Sequence, residues 1–534
     1  FSADIDPLSI RDRRDDPDYA FGDDAIYLID VDPASPERGS LHALDVGNGN
    51  YPAVLERGEY GAGDPRGWTL SLMFEEANED LNGNGVLDPG EDANHNHTLD
   101  DGEDANGNGL LDPPEDTDAD GVLDKPNYLP GMNPTVDDLA GRADALMTFY
   151  ERQSHTVIAR PMEPLRERTR YAVVVTRRVL DTAGKPVGSP YPWINHAADT
   201  DALHDLPSLL PEGLKLSDVA FTWSFTTGTN VSDWVAVRDG LYGHGVQARL
   251  ATEFPAEIAR LMDLRNPTRL RAAVAPTVLY QEQWLPALKL IATGALGLEE
   301  GSQEYKAIMD AQSYVDYNVM GTIRSPQLFE RYDEDGELLP FNAQSWPEDL
   351  DRLPAKARSE EIPFWLTVPR KEVSPRGEGK PAPVVLLGHG YGSNRLEALT
   401  FAGYLAKYGV ATLAIDNVSH GLVLDDDVKA QVEAIVTPLG LGPFLDAITA
   451  GRAIDFNRDG TLDSGADYWT AYLFHTRDVV RQTLLDYTQA VRVLRTFDGN
   501  TRWTFDQNLD GQPDLAGDFD GDGTVDIAAT AGLH

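Results

Sequence analysis

Apolar and polar residues alternate along several short stretches of residues 1–228, and this period of two predicts β-strands. The clearest alternation lies at 221–226, where Phe, Trp and Phe are separated by Thr and Ser. Further strands are predicted at 25–30, 156–160 and 171–176. Residues 1–228 are therefore predicted to form a β-rich domain.

Residues 229–358 carry a mixed pattern. Helical spacing of apolar residues occurs at 253–264 and at 281–298, whereas 317–324 has the pattern of a strand. This part of the chain is predicted to be a mixed region that connects the β domain to the residues after 358.

An α/β domain is predicted over residues 359–534. The segment 384–387 is a continuous apolar run, which is typical of a buried parallel strand, and 410–416 is a second one. Between them, 396–407 has the spacing of an amphipathic helix. A longer helix is predicted over 468–497.

A second period, of twelve residues, runs through the polar positions between Asp80 and Asn127. The first copy, 80–91, places oxygen-bearing side chains at positions 1, 3, 5, 9 and 12, glycine at position 6, and a backbone carbonyl at position 7. That is the ligand order of an EF-hand calcium loop. Four copies follow one another directly, which leaves no room for the flanking helices of paired EF-hands.

Three further copies occur in the α/β region, at 455–467 and at 506–529, so the chain is predicted to bind up to seven calcium ions. A solvated acidic loop is the alternative interpretation, but it does not explain why glycine occupies position 6 in six of the seven copies. The predicted ligands, loop by loop, are Asp80, Asn82, Asn84, Val86, Asp88 and Glu91; Asp92, Asn94, Asn96, Asp100 and Glu103; Asp104, Asn106, Asn108, Leu110, Asp112 and Glu115; Asp116, Asp118, Asp120, Val122 and Asp124; Asp455, Asn457, Asp459, Thr461 and Asp463; Asp506, Asn508, Asp510, Gln512 and Asp514; and Asp518, Asp520, Asp522, Thr524 and Asp526.

The loops differ at position 12, where a Glu can bind calcium through both oxygens. The first three loops end in Glu and the fourth in Asn127, and the second loop has His97 in place of glycine. The three C-terminal loops have Ala or Gly at position 12, so a neighbour such as Asp467 or Asp518 is expected to supply that ligand. The tandem block resembles thrombospondin type 3 repeats, in which calcium takes the place of a hydrophobic core.

The composition favours an extracellular location. A net charge of −44 argues against nucleic acid and anionic membrane surfaces as partners. A halophilic surface would also be acidic, but here residues 80–127 alone hold fourteen Asp and Glu against one Lys. Cysteine is absent, so metal ions are the expected substitute for disulfides. We therefore expect an extracellular or bacterial cell-surface protein, with a targeting segment upstream of Phe1.

Glycine-rich turns follow the two predicted parallel strands. The turn 388–392, Gly-His-Gly-Tyr-Gly, comes after the first strand, and Asp416 begins a second turn that contains His420 and Gly421. Strand, His-Gly turn, helix, strand and His-Gly turn resemble the first half of an α/β-hydrolase domain. The resemblance covers about residues 360–534.

Three segments of the first domain, 164–171, 173–178 and 218–227, resemble a bacterial Ig-like module, which is a β-sandwich. The calcium block 80–127 would be a long insertion in it, which is tolerated because the entropy of loop closure grows slowly with length. Taken together, the two domains resemble bacterial surface lipases and lysophospholipases.

That resemblance implies a role for the first glycine-rich turn. In the family, a His-Gly turn supplies a backbone amide to the oxyanion hole, and this maps onto the N–H groups of Tyr391 and Gly390 here. His389 is interpreted as structural, Asp416 and His420 as residues that fix a loop, and Ser393 as a helix N-cap.

The chain departs from the family in one respect. It contains no Gly-x-Ser-x-Gly elbow, and His534 lies where the elbow strand is expected to begin, so we expect the nucleophile further on in a longer product. Two hypotheses follow. The chain is the N-terminal portion of a secreted calcium-binding serine hydrolase of lipid esters, or it is a calcium-stabilised structural or filament-forming surface protein that reuses a hydrolase-like fold. In the second case a partner chain or a C-terminal segment would cover an open sheet edge.

Overall fold

The computed structural model divides into two compact units, Phe1–Gly228 and Thr229–His534. The multidomain, mixed α/β character predicted from the sequence is confirmed, whereas the Ig-like and hydrolase assignments remain predictions. The structure describes residues 1–528 except 15–20, 47–79, 81–83, 93–98, 101, 106, 108, 113, 117–120, 122, 124–126, 134, 136–144, 146, 153, 267–274, 295–297, 334, 336, 374–379, 457–459 and 471.

The first unit is built on a four-stranded antiparallel sheet in the order β2-β1-β7-β8. Two small two-stranded sheets, β3-β6 and β4-β5, accompany it. The elements are α1 (Leu8–Arg14), β1 (Ile26–Asp30), β2 (Leu41–His42), β3 (Leu44–Asp45), β4 (Tyr150–Glu151), β5 (Thr156–Val157), β6 (Arg160–Pro161), β7 (Arg170–Thr176), α2 (Leu206–Leu209) and β8 (Val219–Thr226).

Both faces of this sheet are buried, because alternate residues of each strand point to opposite sides. On one face Leu28 and Tyr171 pack with Phe149, and on the other Ile29 packs with Val174. Such two-sided burial explains why β1 is apolar at nearly every position rather than alternating.

The second unit is built on a six-stranded sheet in the order β10-β11-β12-β14-β13, with β9 also paired to β11. Only β13 and β14 are parallel, and the other pairs are antiparallel. The elements are α3 (Val231–Leu241), α4 (Leu250–Glu253), β9 (Ile258–Leu261), β10 (Val278–Tyr280), α5 (Gln281–Gly294), α6 (Gln303–Gln312), β11 (Val315–Gln327), β12 (Arg358–Pro369), β13 (Val384–Leu387), α7 (Leu399–Lys407), β14 (Ala411–Ile415), α8 (Asp426–Val436), α9 (Gly442–Thr449) and α10 (Leu473–Leu494).

Residues 229–358, predicted to be a connecting region, supply β9, β10 and β11 to this sheet. One element there differs from the prediction. The prediction of a helix over 253–264 is wrong, because α4 ends at Glu253 and β9 follows. Strand β9 pairs closely with β11 at Gly321, where a Cβ atom would lie 2.3 Å from the carbonyl oxygen of Arg260. Sheet pairing therefore overrides the local helical spacing.

Helices cover both faces of the sheet. On one face Val493 of α10 packs with Leu413 and Val384, and on the other Trp365 packs with Trp284 of α5 and with Phe444 of α9. The parallel pair with its intervening helix α7 is a βαβ unit. The loops that follow β13 and β14 consequently leave the sheet at the same edge.

The C-terminal described segment runs beside the start of β13. Ala382 pairs in parallel with Ile527. The Ala382 N–H donates to the Asp526 carbonyl at 2.8 Å, and the Ala528 N–H donates to the Ala382 carbonyl at 3.2 Å. Ile527 belongs to the same core as Val384. The outer side of β13 is thus partly covered by the last residues of the final predicted calcium loop.

Candidate functional site

The same hydrogen bond recurs in all six predicted calcium loops that have glycine at position 6. The backbone N–H of that glycine donates to the carboxylate of the Asp at position 1, and each glycine has a positive φ, which favours glycine. This bond closes a turn between positions 1 and 6 of each of these loops. The N···O distances are 3.0 Å for Gly85, 3.0 Å for Gly109, 3.1 Å for Gly121, 2.9 Å for Gly460, 2.7 Å for Gly511 and 2.9 Å for Gly523.

The first and third loops are paired with each other, although they are not adjacent in sequence. The Asp88 N–H donates to the Glu115 carboxylate at 3.0 Å, and the Asp112 N–H donates to the Glu91 carboxylate at 3.2 Å. Backbone bonds repeat the exchange, from the Glu115 N–H to the Asp88 carbonyl and from the Glu91 N–H to the Asp112 carbonyl. Glu91 also accepts from the Ala105 N–H at 2.8 Å. Each position-12 glutamate is therefore oriented by the other loop.

The three C-terminal loops share a different arrangement, in which the Asp at position 9 accepts from the backbone N–H of position 2. The distance from the backbone N to the carboxylate Oδ2 is 3.0 Å from Phe456 to Asp463, 2.5 Å from Gln507 to Asp514, and 2.8 Å from Phe519 to Asp526. Gln507 and Phe519 are buried, so their loops are anchored in the interior of the second unit.

Buried oxygen atoms without a hydrogen-bond donor lie at three predicted ligand positions. Among the described residues, these include the Oδ1 atoms of Asp80, Asn127 and Asp526, at positions 1, 12 and 9 of their loops. A buried acceptor without a partner is costly, and a bound cation would satisfy it. The donor set of carboxylate, amide and carbonyl oxygens suits Ca²⁺.

The carboxylates of Asp518, Asp520 and Asp522 come together within 4.8 Å of one another. Burial, with the neighbouring charge of Asp520, raises the pKa of Asp518 to about 6. The pKa of Asp520 is also raised, first by burial. These side chains therefore repel one another unless a cation or a proton is present. Eleven predicted ligands lie outside the described residues: Asn82, Asn94, Asn96, Asn106, Asn108, Asp118, Asp120, Val122, Asp124, Asn457 and Asp459.

Asp467, a candidate for the missing position-12 ligand, contacts the side chains of Arg331 and His475. Its Oδ2 atom lies 2.9 Å from Arg331 Nη1 and 3.2 Å from His475 Nε2. Burial opposes ionisation of Asp467, but the hydrogen bond from His475 and the charge of Arg331 outweigh it and lower its pKa. Asp518, the other candidate, accepts from the N–H of Gly523 within its own loop.

The glycine-rich turns after β13 and β14 meet at the edge of the sheet. The Asn417 N–H donates to His389 Nε2 at 3.0 Å, and the Gly392 N–H donates to His420 Nε2 at 3.3 Å. His389 and His420 each direct Nδ1 at a nearby backbone carbonyl, at 2.9 and 2.8 Å. Burial lowers the pKa of His420, which favours the neutral form of its ring. Both histidines thus link the two turns through backbone groups.

The two predicted oxyanion donors have different surroundings. The Gly390 N–H donates to Glu397 Oε2 at 2.9 Å, and this bond is the main reason that the pKa of Glu397 is lowered. Within the described part of the chain, the N–H of Tyr391 makes no hydrogen bond, and Tyr391 is 60% exposed. The Tyr391 amide is therefore free to receive an oxyanion, whereas the Gly390 amide already holds a carboxylate.

Asp416 is paired with Arg395 rather than with His420. Its carboxylate accepts from the Arg395 N–H at 2.8 Å and forms an ion pair with the guanidinium, and both side chains are fully buried. The prediction that Ser393 caps the following helix is wrong. Asn394 takes that position, because its side chain accepts from the Leu396 N–H at 3.0 Å.

The end of the Asp455 loop packs against the turns. The hydroxyl of Ser464 donates to the Ser393 carbonyl at 3.3 Å and accepts from the Gly421 N–H at 3.2 Å. Gly465 lies so close to His420 that a Cβ atom would be 2.4 Å from Nε2. Sequence reasoning missed these contacts and Glu397. The only signal for Glu397 is an acidic residue in the first turn of the helix that follows the glycines.

Comparisons with known proteins give little further guidance. No protein-family model matches the chain, and no curated protein matches it. One solved structure is detected, described as a PEG-bound complex of a novel cold-adapted esterase from an Arctic intertidal metagenomic library. It shares 19% identity over 22% of this chain, with a TM-score of 0.11, and the match spans 38% of that esterase.

The helices in the described ranges include none that is both long enough and apolar enough to cross a membrane.

Proposed function

We propose that the chain binds calcium through EF-hand-type loops and acts outside the cell or at a bacterial cell surface. The observation that carries the calcium proposal is the bond from the position-6 glycine to the position-1 aspartate in six loops. The absence of cysteine and the charge of −44 support a calcium-rich, extracellular setting. An Ig-like β-sandwich with the calcium block inserted remains our proposal for the first unit.

We further propose that the second unit is the first part of an α/β-hydrolase domain in a serine ester hydrolase similar to lipases and lysophospholipases. Support comes from the parallel pair β13 and β14, the turns that meet at their carboxyl ends, and the parallel segment at Ile527. Ligand sites of α/β sheets commonly lie at the carboxyl ends of parallel strands.

Each residue of the turn has a distinct role in this proposal. The Tyr391 N–H donates to the oxyanion that develops as an ester carbonyl is attacked. Glu397 holds the Gly390 N–H and so fixes the turn that presents the Tyr391 amide. The serine, acid and histidine of a triad have no candidates in the chain, and lipid esters are the proposed substrate of the longer gene product.

Replacing Tyr391 by Pro tests the oxyanion role, because Pro removes the backbone N–H. In the full product of the encoding gene, with calcium, Tyr391→Pro is expected to lower kcat for p-nitrophenyl esters by about 10²–10³-fold. Tyr391→Ala is the matched control, since it removes the ring but keeps the amide, and it should lower kcat far less. Equal losses in the two variants would contradict the oxyanion assignment.

A calcium-stabilised structural or filament-forming protein is the second candidate. It is favoured by the carboxylate that already occupies the Gly390 amide. In this case a second chain would complete the sheet edge. A full gene product that is inert on every ester tried, yet assembles when calcium is added, would select this candidate.

The paired first and third loops yield a test of the calcium proposal. Glu115→Gln is expected to weaken calcium binding by about tenfold or more in its own loop, because a bidentate carboxylate is lost. It should also weaken the first loop, since Glu115 orients Asp88 there. Glu103→Gln is the control, because Glu103 accepts from the Asp100 N–H within its own loop, at 3.0 Å. Calorimetric titration with calcium should show two weakened sites for Glu115→Gln, and a single weakened site would disprove the coupling.

A further inference from the structure

A lysine from outside the last calcium loop lies among the carboxylates of that loop. Lys371 follows β12 in the sequence and forms an ion pair with Asp522. Its Nζ atom also lies 3.7 Å from Asp526 Oδ1 and 4.0 Å from Asp520 Oδ2. These three aspartates are the predicted ligands at positions 3, 5 and 9. The ammonium group therefore sits where the ligands of one cation converge.

Two independent observations indicate that this place suits a cation. Asp526 Oδ1 is buried and has no hydrogen-bond partner, and the side chain of Asp526 is fully buried. A cavity of about 10 Å³ lies beside it, lined by residues that include Lys371, Thr524 and Asp526. That volume is close to the minimum that holds a single water-sized particle.

We propose that Lys371 is a tethered competitor for calcium in the loop 518–529, and that this loop exchanges the ammonium group for the metal ion. This inference rests on the proposed calcium binding. In the metal-free protein the lysine offsets the repulsion between Asp520, Asp522 and Asp526. When calcium binds, its two positive charges repel the ammonium group, so Lys371 leaves the site and its side chain, already 27% exposed, moves to solvent.

The sequence context permits such an exchange. Lys371 lies in a short turn, Lys371–Val373, immediately after β12, so its side chain can move without disturbing the strand. Asp518, at position 1, stays bonded to the Gly523 N–H and keeps the loop folded. Carboxylates from outside the loop near this group include Asp316 of β11 and Glu372. Burial, with the charge of Asp520, raises the pKa of Asp316 to about 6.

Lys371→Met tests the proposal, because it keeps most of the side-chain length and removes the charge. Calcium titrations would follow the fluorescence of Trp503, whose ring lies 4.9 Å from that of Phe519 in this loop. Subtracting the titration curve of a Trp503→Phe variant isolates the fluorescence of Trp503. The transition that disappears in an Asp518→Asn variant is then assigned to calcium binding by this loop. Lys371→Met is expected to raise the calcium affinity of that transition by about tenfold or more, because one competing charge is removed. Its melting temperature in chelator should fall below that of the unaltered protein, while the two melting temperatures converge in calcium.

Two further variants serve as controls. Lys371→Arg retains the charge and should leave the affinity near its original value. Lys407→Met removes a lysine that lies 4.0 Å from Asp310, far along the chain from the loop, and should change nothing. If Lys371→Met leaves the calcium affinity of the loop unchanged while the loop still binds calcium, the proposed role of the lysine is wrong. Calcium binding by the loop would stand. If the titration of Asp518→Asn shows every transition of the unaltered protein, this loop does not bind calcium. The inference would then fail as well.

Discussion

Chelation of calcium is expected to expose residues 80–127 to protease before any strand of the first unit is cut. Among the described residues of this block, Val86 and Leu110 are exposed, whereas the buried side chains include Glu91 and Glu115. The block therefore has carboxylates where a domain would have an apolar core. Without metal it cannot bury enough apolar surface to offset the entropy of ordering its chain.

The expected effect is large because several ions act together. Each site contributes about 2.7 kcal/mol when free calcium is a hundred times its dissociation constant. Limited proteolysis in calcium and in chelator, with the fragments identified by mass, measures the order of cleavage. The internal control is the rate of cleavage within β7 and β8. These strands are paired along their length, from Arg170 opposite Thr226 to Thr176 opposite Val219. Equal protection of 80–127 in both conditions would show that calcium does not hold the block together.

Arg395→Met is expected to destabilise the second unit by about 3–5 kcal/mol, because it leaves the buried carboxylate of Asp416 without its partner. Arg395 also donates to the Ala447 carbonyl at 2.6 Å, so its loss frees a contact with α9 as well. The midpoint of the unfolding transition of this unit in urea, followed by tryptophan fluorescence, is the measurement. It should move to a much lower urea concentration.

Two matched variants make the result specific. Arg249→Ala breaks an exposed ion pair with Glu253 one helical turn away and should cost no more than about 0.5 kcal/mol. The double variant Arg395→Met with Asp416→Leu should recover much of the loss, since both charges are then replaced by apolar groups. A double variant no more stable than Arg395→Met would mean that packing around Arg395, and not the unpaired charge, determines the effect.

Local periodicity was sufficient to predict several strands and helices of the second unit, among them β11, α7 and α10. The apolar runs at β13 and β14 and the helical spacing of α10 are visible in the sequence because β14 is buried at every position and β13 and α10 each pack apolar residues into the core. The membership of β9, β10 and β11 in one sheet with β12 was not visible. It depends on pairing between residues far apart in sequence, such as Val278 with Val319.

The prediction of calcium loops has a related basis. Their ligands and glycines lie at fixed spacings within twelve residues, so the pattern is entirely local. The pairing of the first loop with the third is not local, and neither is the approach of Lys371 to Asp522. At the turn, the glycines of 388–392 were evident, but the carboxylate that holds Gly390 comes from the following helix.

The last two loops lie between α10 and the segment paired with Ala382. This position affects the stage at which the second unit completes its folding. The segment that extends the sheet beyond β13 at Ile527 follows directly after Asp518–Asp526, so its pairing with Ala382 is expected to strengthen when those carboxylates are neutralised. Loops with the millimolar to submillimolar affinities of extracellular modules would stay metal-free inside a cell. If the protein is exported and its loops bind calcium, as we propose, this edge of the sheet is expected to close fully only in external calcium, so that the calcium concentration outside the cell would determine when folding is completed.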